Sequence, residues 1–414
     1  MDAPTSGRRR ATRSALVGVF LCALSVPAGA QSIAVKGRIV HTMAGAPIEN
    51  GVVIIRDGKI AAVGPAATTP IPRGLAVREA RVVTPGLIDA HGTVGISGLL
   101  NSPHDQDQLD HSTAVQPELR AIDAYNPYDK LVEHLRGFGI TTVHTGHAPG
   151  ELVSGQTCIV KLRGNTVEEA VITTEAMVAV TLTTAAHRRD KGAPGTRGKA
   201  VAMLRAELVS AGIYLQKKET ADESKRPDRD LKLEMLGRVL KGELPLLITA
   251  DRAQDIASAL RLKDEFKIRV VLDSAAEAFL MLEEIKRANV SVIVHPSMQR
   301  AVGERENQSF ETAAKLHQAG ILVALQSGYE SYVPKTRVAL FEAAIAAANG
   351  LTFGEALATI TRDAAKILGI DGRVGTLEVG KDGDLALFDG DPFEYTAHCT
   401  GTIIEGVVVS DQPR

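Results

Sequence analysis

Short apolar segments alternate with helical stretches over residues 82–369, and this alternation restricts the fold more than any other feature of the chain. The segments at 246–249, 270–272, 292–294 and 322–325 lack the polar residue at every second position that a half-exposed strand shows. Such strands are buried on both faces, as in a parallel sheet covered by helices. The repeated units predict an α/β fold, a (β/α)8 barrel of the TIM type. A doubly wound sheet is the alternative, but no glycine-rich phosphate turn follows a strand.

Both ends of the chain have the pattern of β-structure. Segment 33–63 contains short β-branched runs, and Asp57-Gly58 between two of them is typical of a two-residue hairpin turn. Segment 384–409 has the same character, with apolar strands separated by turn residues. We therefore predict a small composite β-sandwich domain built from residues 31–81 and 370–414.

The charge of the chain is nearly balanced. Its 414 residues include 47 Lys and Arg against 49 Asp and Glu, which gives a net charge of −2, and there is no Trp. A nucleic-acid surface would need a basic excess and stacking aromatics, so we predict no nucleic-acid partner. A charge-rich segment, 187–244, is predicted to form solvated helices over the barrel rim, as an insertion or a lid.

The first 30 residues are predicted to be a cleavable signal peptide. Arg8, Arg9 and Arg10 precede an apolar run, and small residues end at Ala30. The alternative is a membrane anchor, but the run is shorter than the about 20 residues that a spanning helix needs. We expect a periplasmic or secreted protein that does not associate with the membrane after cleavage. Cys158 and Cys399 are expected to be buried thiols and not a disulfide.

Three motifs connect the chain with a known family. Pro85–His91 (PGLIDAH), Gly139–Val143 (GITTV) and Gly375–Leu385 (GTLEVGKDGDL) resemble motifs of the amidohydrolase superfamily, close to its imidazolonepropionase-like and metal-dependent dipeptidase branches. The resemblance covers nearly the whole chain after residue 30 and implies the same barrel and composite domain. It also implies a hydrolase of non-peptide carbon–nitrogen or dipeptide-like amide bonds, a small amide or cyclic amide substrate, and one or two divalent metals that activate water.

Most metal ligands implied by this resemblance are replaced. Where the family has metal-binding histidines or a catalytic aspartate, this chain has Thr93, Thr249, Ser274 and Gly328, so that His91 alone remains. Neutral hydroxyls are poor ligands for such metals, and glycine has no side chain to accept a proton. One interpretation is a catalytically silent barrel that binds no metal and acts as a binding or assembly partner. The other is a relocated site.

A relocated site would use histidines that follow the predicted strands. Imidazole nitrogens and a carboxylate suit zinc, and barrel chemistry lies at the carboxyl ends of the strands. The candidate metal ligands are His91, His144, His147 and His295, and the candidate general bases are Asp251 and Glu330. Asp251 lies two residues after Thr249, so the two side chains would share one face of an extended strand. The alternative is that each histidine is structural.

A second polar cluster follows the first predicted barrel strand. It consists of His104, Asp105, Asp107 and His111. A loop at this position overhangs the barrel mouth, so we expect contact with a substrate or a metal. The alternative is a turn capped by Asp side chains. The sequence leaves the oligomeric state open; a homo-oligomer is one alternative, because symmetric dimers are the commonest assemblies of soluble proteins.

Overall fold

The computed structural model describes residues 32–100, 102–188, 192–220, 222–329 and 338–414. The predicted signal peptide lies outside these residues. The strands are β1 (Ile33–Val40), β2 (Ile48–Arg56), β3 (Lys59–Pro65), β4 (Ala76–Pro85), β5 (Leu87–Gly92), β6 (Ile140–Thr145), β7 (Val153–Gln156), β8 (Cys158–Lys161), β9 (Val171–Thr173), β10 (Val178–Thr181), β11 (Leu246–Thr249), β12 (Val270–Ser274), β13 (Ser291–Val294), β14 (Val323–Leu325), β15 (Leu385–Phe388), β16 (Cys399–Ile404) and β17 (Val407–Ser410). The helices are α1 (Lys130–Arg136), α2 (Val167–Ala170), α3 (Arg197–Lys218), α4 (Leu231–Leu240), α5 (Ala253–Phe266), α6 (Leu282–Arg287), α7 (Thr312–Gln318), α8 (Ala339–Ala348), α9 (Phe353–Thr359) and α10 (Arg362–Leu368).

The two ends of the chain meet in one seven-stranded sheet, with strand order β17-β16-β15-β4-β1-β2-β3. β15 pairs antiparallel with β4, so that Leu385 lies opposite Pro85. The predicted hairpin at Asp57-Gly58 is confirmed: these residues join β2 to β3 and have φ angles of 50° and 76°. Apolar side chains from both ends, among them Ile33 and Leu387, share one core. The two-layer sandwich and the domain boundaries stay predictions.

The strands of the central region close into a ring. One sheet has the order β14-β13-β12-β11-β10-β7 and the other β5-β6-β8-β9. Gly92 at the end of β5 bridges to Gly328 beyond β14, where the Gly328 amide donates a hydrogen bond of 3.1 Å to the His91 carbonyl. β10 through β14 run parallel and are almost completely buried. This arrangement is consistent with a TIM-type barrel.

The strands β7 and β8, which follow β6 in the ring, depart from the all-parallel pattern that the sequence predicted. β7 pairs antiparallel with β10, and β8 pairs antiparallel with β6. Only residues 146–152 connect β6 to β7, whereas the crossover between parallel strands needs about a dozen residues or more. The chain therefore reverses its direction directly after β6, and β7 and β8 run antiparallel to their neighbours in the ring.

The charge-rich segment 187–244 contains α3 and α4, which pack against each other. Along the chain the two helices lie between β10 and β11. Because β10 and β11 are a parallel pair, the two helices occupy the place of a barrel crossover. α3 buries Leu204, Leu208 and Ala211, and its role as a lid stays a prediction.

Cys158 and Cys399 are buried free thiols, as predicted. Among the described residues, no helix combines the length and the apolar character needed to cross a bilayer.

Candidate functional site

A cavity of about 520 Å³ opens where the barrel strands end. Its wall is formed by residues at the carboxyl ends of barrel strands, such as β5, β11 and β12, and by residues in the loops that follow β6, β10, β13 and β14. They include His91, Thr249, Asp251, Asp273, Gln299 and Arg305. Active sites of TIM-type barrels are built at this end, and the volume lies within the range of about 300–1,000 Å³ usual for small-molecule sites. We call it the barrel-mouth cavity.

A buried hydrogen-bond network lies in the wall of this cavity, centred on Asp273 at the end of β12. The Nδ1 atom of His91 is 2.9 Å from the Oδ1 atom of Asp273. The Thr249 hydroxyl donates to Oδ2 at 2.7 Å, and the Gln326 amide donates to Oδ1 at 3.0 Å. His91 is 4% exposed and Asp273 1%. Four barrel strands therefore contribute to one polar cluster.

His91 and Asp273 shift each other's pKa in opposite directions. Burial lowers the pKa of His91, but the charge and the hydrogen bond of Asp273 raise it more, so that the pKa lies above its usual 6.5. Burial raises the pKa of Asp273, but His91, Thr249 and Gln326 lower it below its usual 3.8. The Nε2 atom of His91 is buried and has no hydrogen-bond partner among the described residues.

A second carboxylate, Asp251, lines the same cavity. The Ser274 hydroxyl donates to its Oδ1 atom at 2.5 Å. Burial raises the pKa of Asp251 above 3.8, although Ser274 and Arg305 oppose this shift. The prediction that Thr249 and Asp251 share a face agrees with their position, because both line the cavity. Ser274 and Ala275 have φ angles of 65° and 51°, a strained region for residues with a side chain and one that clusters at functional sites.

The other predicted histidines serve the packing of the barrel. His144 lies beside His91, but its Nδ1 atom donates to the Ala90 carbonyl at 2.7 Å and its Nε2 atom accepts from the Thr157 hydroxyl at 2.7 Å. Burial lowers its pKa to about 3. His147 packs against Gly155, and burial lowers its pKa also.

His295 follows β13 but does not line the cavity. Its Nε2 atom is 3.3 Å from the Thr312 hydroxyl, and burial lowers its pKa to about 4.

The described residues do not fit a metal ion. None of their His, Cys, Asp and Glu side chains form a group of three that could hold one. The predicted ligand set of His91, His144, His147 and His295 stays a prediction; in the structure His91 binds Asp273, and His144 uses both ring nitrogens in hydrogen bonds.

The geometry at Gly328, where the resemblance implies a catalytic aspartate, disfavours any side chain. Its φ angle is 70°, and a Cβ atom at this position would lie 2.5 Å from Cγ of Pro296. An aspartate would be strained by the backbone angle and would collide with the proline. The eighth strand of this barrel therefore ends without room for a catalytic carboxylate.

The polar cluster of the first barrel loop lies away from the barrel-mouth cavity. His104, Asp105 and Asp107 line a separate cavity of about 440 Å³, where His104 and Asp105 form an exposed ion pair at 3.5 Å. His111 is 2.9 Å from the buried Glu151. The predicted contact of these residues with a ligand stays a prediction. Glu330, the second candidate base, lies outside the described residues.

Several site residues were not predicted from the sequence. They are Asp273, Gln299, Arg300, Arg305 and Gln326. Asp273 directly follows the apolar run 270–272 and so stands at a strand end, which is a usable signal. Gln326 directly follows the apolar run 322–325 and carries the same signal, whereas Gln299, Arg300 and Arg305 lie in a loop whose position depends on tertiary packing.

The chain matches the family model described as Amidohydrolase family over residues 97–410. It belongs to the amidohydrolase family. The predicted resemblance is thereby confirmed.

Individual members of the family give consistent matches. An imidazolonepropionase of Mesorhizobium japonicum is 25% identical over 370 residues, which cover 83% of this chain and 87% of that protein. Amidohydrolase tasK of Hapsidospora irregularis is 22% identical over 396 residues, and the chain spans 40% of its length. The crystal structure of an amidohydrolase from Thermotoga maritima has 28% identity and a TM-score of 0.86 and covers 92% of this chain and 100% of that one.

Proposed function

We propose that the protein hydrolyses carbon–nitrogen bonds of a small amide or cyclic amide bound in the barrel-mouth cavity. The observation that carries this proposal is the buried His91–Asp273 pair at the wall of that cavity, in a chain of the amidohydrolase family. The names of the similar imidazolonepropionases support an amide-like substrate.

His91 is the proton-transfer group in this proposal. Asp273 fixes the imidazole through Nδ1, which leaves Nε2 to exchange a proton. In the neutral imidazole, which donates its Nδ1–H to Asp273, Nε2 takes a proton from a water molecule as the water oxygen attacks the amide carbon, and returns it to the nitrogen when the carbon–nitrogen bond breaks. Asp273 is a positioning residue. Asp251, whose pKa is raised by burial, is the second acid–base group at the cavity.

The test is hydrolysis of a panel of N-acyl amino acids, dipeptides, lactams and hydantoins by the purified protein. We expect His91→Asn to lower kcat/KM by about a hundredfold or more, the usual contribution of a general base. His398→Asn, at an exposed histidine directly before β16 and outside the cavity, should keep the wild-type rate. Equal rates for His91→Asn and wild type would refute the assignment.

A metal requirement is tested on the same preparation. Elemental analysis and the rate after chelator treatment show whether a divalent ion, zinc above all, is bound and needed. Near-stoichiometric zinc that is lost together with activity would contradict our assignment of proton transfer to His91 without a metal.

The second candidate is a catalytically silent protein that binds a small molecule or another protein. The observation that favours it is the donor set: Thr93, Thr249, Ser274 and Gly328 stand where the resemblance implies metal ligands or a catalytic carboxylate. Binding of amides by calorimetry without turnover of any panel member would support this candidate over hydrolysis.

We further propose that residues 1–30 direct export and are removed. The charged head and apolar run described above support this proposal. Sequencing of the mature N-terminus from a periplasmic or culture fraction should give Gln31. An intact Met1 on the exported protein would refute cleavage.

A further inference from the structure

Arg305 differs from the other arginines around the barrel mouth. It ends the short 3-10 helix Gly303–Arg305, is half-buried and lines the barrel-mouth cavity. The nearby Arg197 is bound by Asp255 and Glu304, and Arg252 by Glu277 and Glu306. Arg305 forms no ion pair and no side-chain hydrogen bond with the described residues.

Asp251 does not neutralise this guanidinium. The two side chains interact through space, but no nitrogen–oxygen distance between them falls within the 4.0 Å of a salt bridge. The Oδ1 atom of Asp251 is instead occupied by the Ser274 hydroxyl. Arg305 therefore presents a positive charge to the cavity without a paired carboxylate in the part of the chain that the structure describes.

Gln299 adds an acceptor to the same wall. It is 7% exposed and lines the cavity, and its Nε2 atom donates to the Tyr329 carbonyl at 3.0 Å. Its Oε1 atom is buried and accepts no hydrogen bond from the described residues. A buried acceptor left without a donor is costly, so a ligand that brings an N–H group would stabilise this side of the cavity.

We propose that the barrel-mouth cavity selects an amide that carries a carboxylate, which pairs with Arg305, and an N–H group, which donates to Gln299. An N-acyl amino acid is the simplest molecule with both groups. This inference rests on the proposed function, because it takes the same cavity as the substrate site. Guanidinium and carboxylate form charge-assisted, often two-pronged hydrogen bonds, which suits this selection.

Three matched probes test the two contacts by calorimetry on the full-length mature protein. They are N-benzoylglycine, its uncharged methyl ester, and N-benzoylsarcosine, which keeps the carboxylate but lacks the N–H. We expect the wild type to bind N-benzoylglycine about tenfold more tightly than either control, as a charge-assisted or a buried hydrogen bond allows. Equal affinity for the three probes, or binding of none, would overturn the proposal.

Variants distinguish a specific contact with Arg305 from a general effect of positive charge in the cavity. Arg305→Met should remove the preference for the acid over its ester, and Arg305→Lys should keep part of it. Arg261→Met is the control, because Arg261 is an exposed arginine of α5 that lies outside the cavity. It should keep the preference. Gln299→Met should remove the preference over N-benzoylsarcosine. An unchanged preference in Arg305→Met would overturn the assignment.

The carboxylate-binding proposal and the hydrolase proposal are refuted by different results. Selective binding of N-benzoylglycine without turnover of any amide would refute the proposed hydrolase and leave the carboxylate site intact. Turnover with no preference between the acid and its ester would refute the carboxylate site alone.

Discussion

Lys161 and Asp382 form a buried ion pair where the barrel meets the terminal sheet: the Nζ atom of Lys161 lies 2.6 Å from the Oδ2 atom of Asp382, and both side chains are 1% exposed. Asp384 and Glu405 lie 3.0 and 2.9 Å from the same Nζ atom. Lys161 ends β8 of the barrel, and Asp384 directly precedes β15 of the sheet. One lysine therefore ties the two regions together by charge.

Loss of this lysine should destabilise the protein strongly. Lys161→Met leaves Asp384 buried without a cation among the described residues, whereas Asp382 keeps the half-exposed Lys59 and Arg373. Breaking a buried pair in this way costs about 3–5 kcal/mol. We expect a fall of this size in the free energy of unfolding, measured by urea denaturation. Lys36→Met, which breaks an exposed pair with Glu79, should cost about 1 kcal/mol or less. Similar costs for the two variants would contradict the role of Lys161.

Asp89 is a buried carboxylate for which charge is unfavourable. Burial raises its pKa to about 6, although hydrogen bonds from Ser327 and the His91 amide oppose this shift. Because the folded pKa lies above the unfolded value of 3.8, the stability that the proton supplies is present at low pH and is lost as the pH rises through about 6. A shift of about two units corresponds to about 3 kcal/mol.

Removal of the Asp89 charge should therefore stabilise the protein at alkaline pH. Asp89→Asn keeps an oxygen to accept from Ser327, and we expect it to raise the free energy of unfolding at pH 8 by up to about 3 kcal/mol. At pH 4 it should have little effect. Asp105→Asn, at a half-exposed carboxylate, is the control. A gain for Asp89→Asn that is equal at both pH values would show that its charge is not the cause.

The parts of the fold that local patterns determine could be predicted. Apolar strands such as 246–249 indicate burial on both faces, and Asp57-Gly58 determines a hairpin through its own backbone preferences. The alternation of side chains along an extended chain likewise put Thr249 and Asp251 on one side. Each of these predictions depends on residues a few positions apart.

The partners within the site could not be predicted in the same way. His91 and Asp273 are separated by 182 positions in the chain, and only closure of the ring brings β5 and β12 to one cavity. His144 follows a strand as a ligand would, but its ring is turned to the Ala90 carbonyl. A position at a strand end therefore indicated the right region of the barrel. It did not indicate which histidine faces the cavity and which one forms hydrogen bonds within the barrel.

The carboxylate of Glu342 should hold the loop that carries Gln299 and Arg305 in its position. It is fully buried in α8, and its carboxylate accepts from the Ser297 amide at 2.5 Å and the Met298 amide at 3.2 Å. Glu342→Gln replaces one acceptor by an NH₂ group that faces an N–H. We expect about a tenfold loss of affinity for N-benzoylglycine by calorimetry, because a lost hydrogen bond to a charged group costs about 1.5–3 kcal/mol. Glu283→Gln, at an exposed residue of α6, should bind as wild type.

The His91–Asp273 pair should be visible as a linked titration. Asp273 raises the pKa of His91 in the folded protein, so Asp273→Asn should lower that pKa, followed by the imidazole resonances in NMR spectra recorded across pH. A histidine with a raised folded pKa contributes stability below its unfolded value of about 6.5, and this stability is lost as the pH rises through the folded pKa. The cost of Asp273→Asn in urea denaturation should therefore be larger at pH 5.5 than at pH 8.5. An unchanged His91 pKa in Asp273→Asn would show that the two groups are not coupled, and proton transfer would then have to be assigned to Asp251.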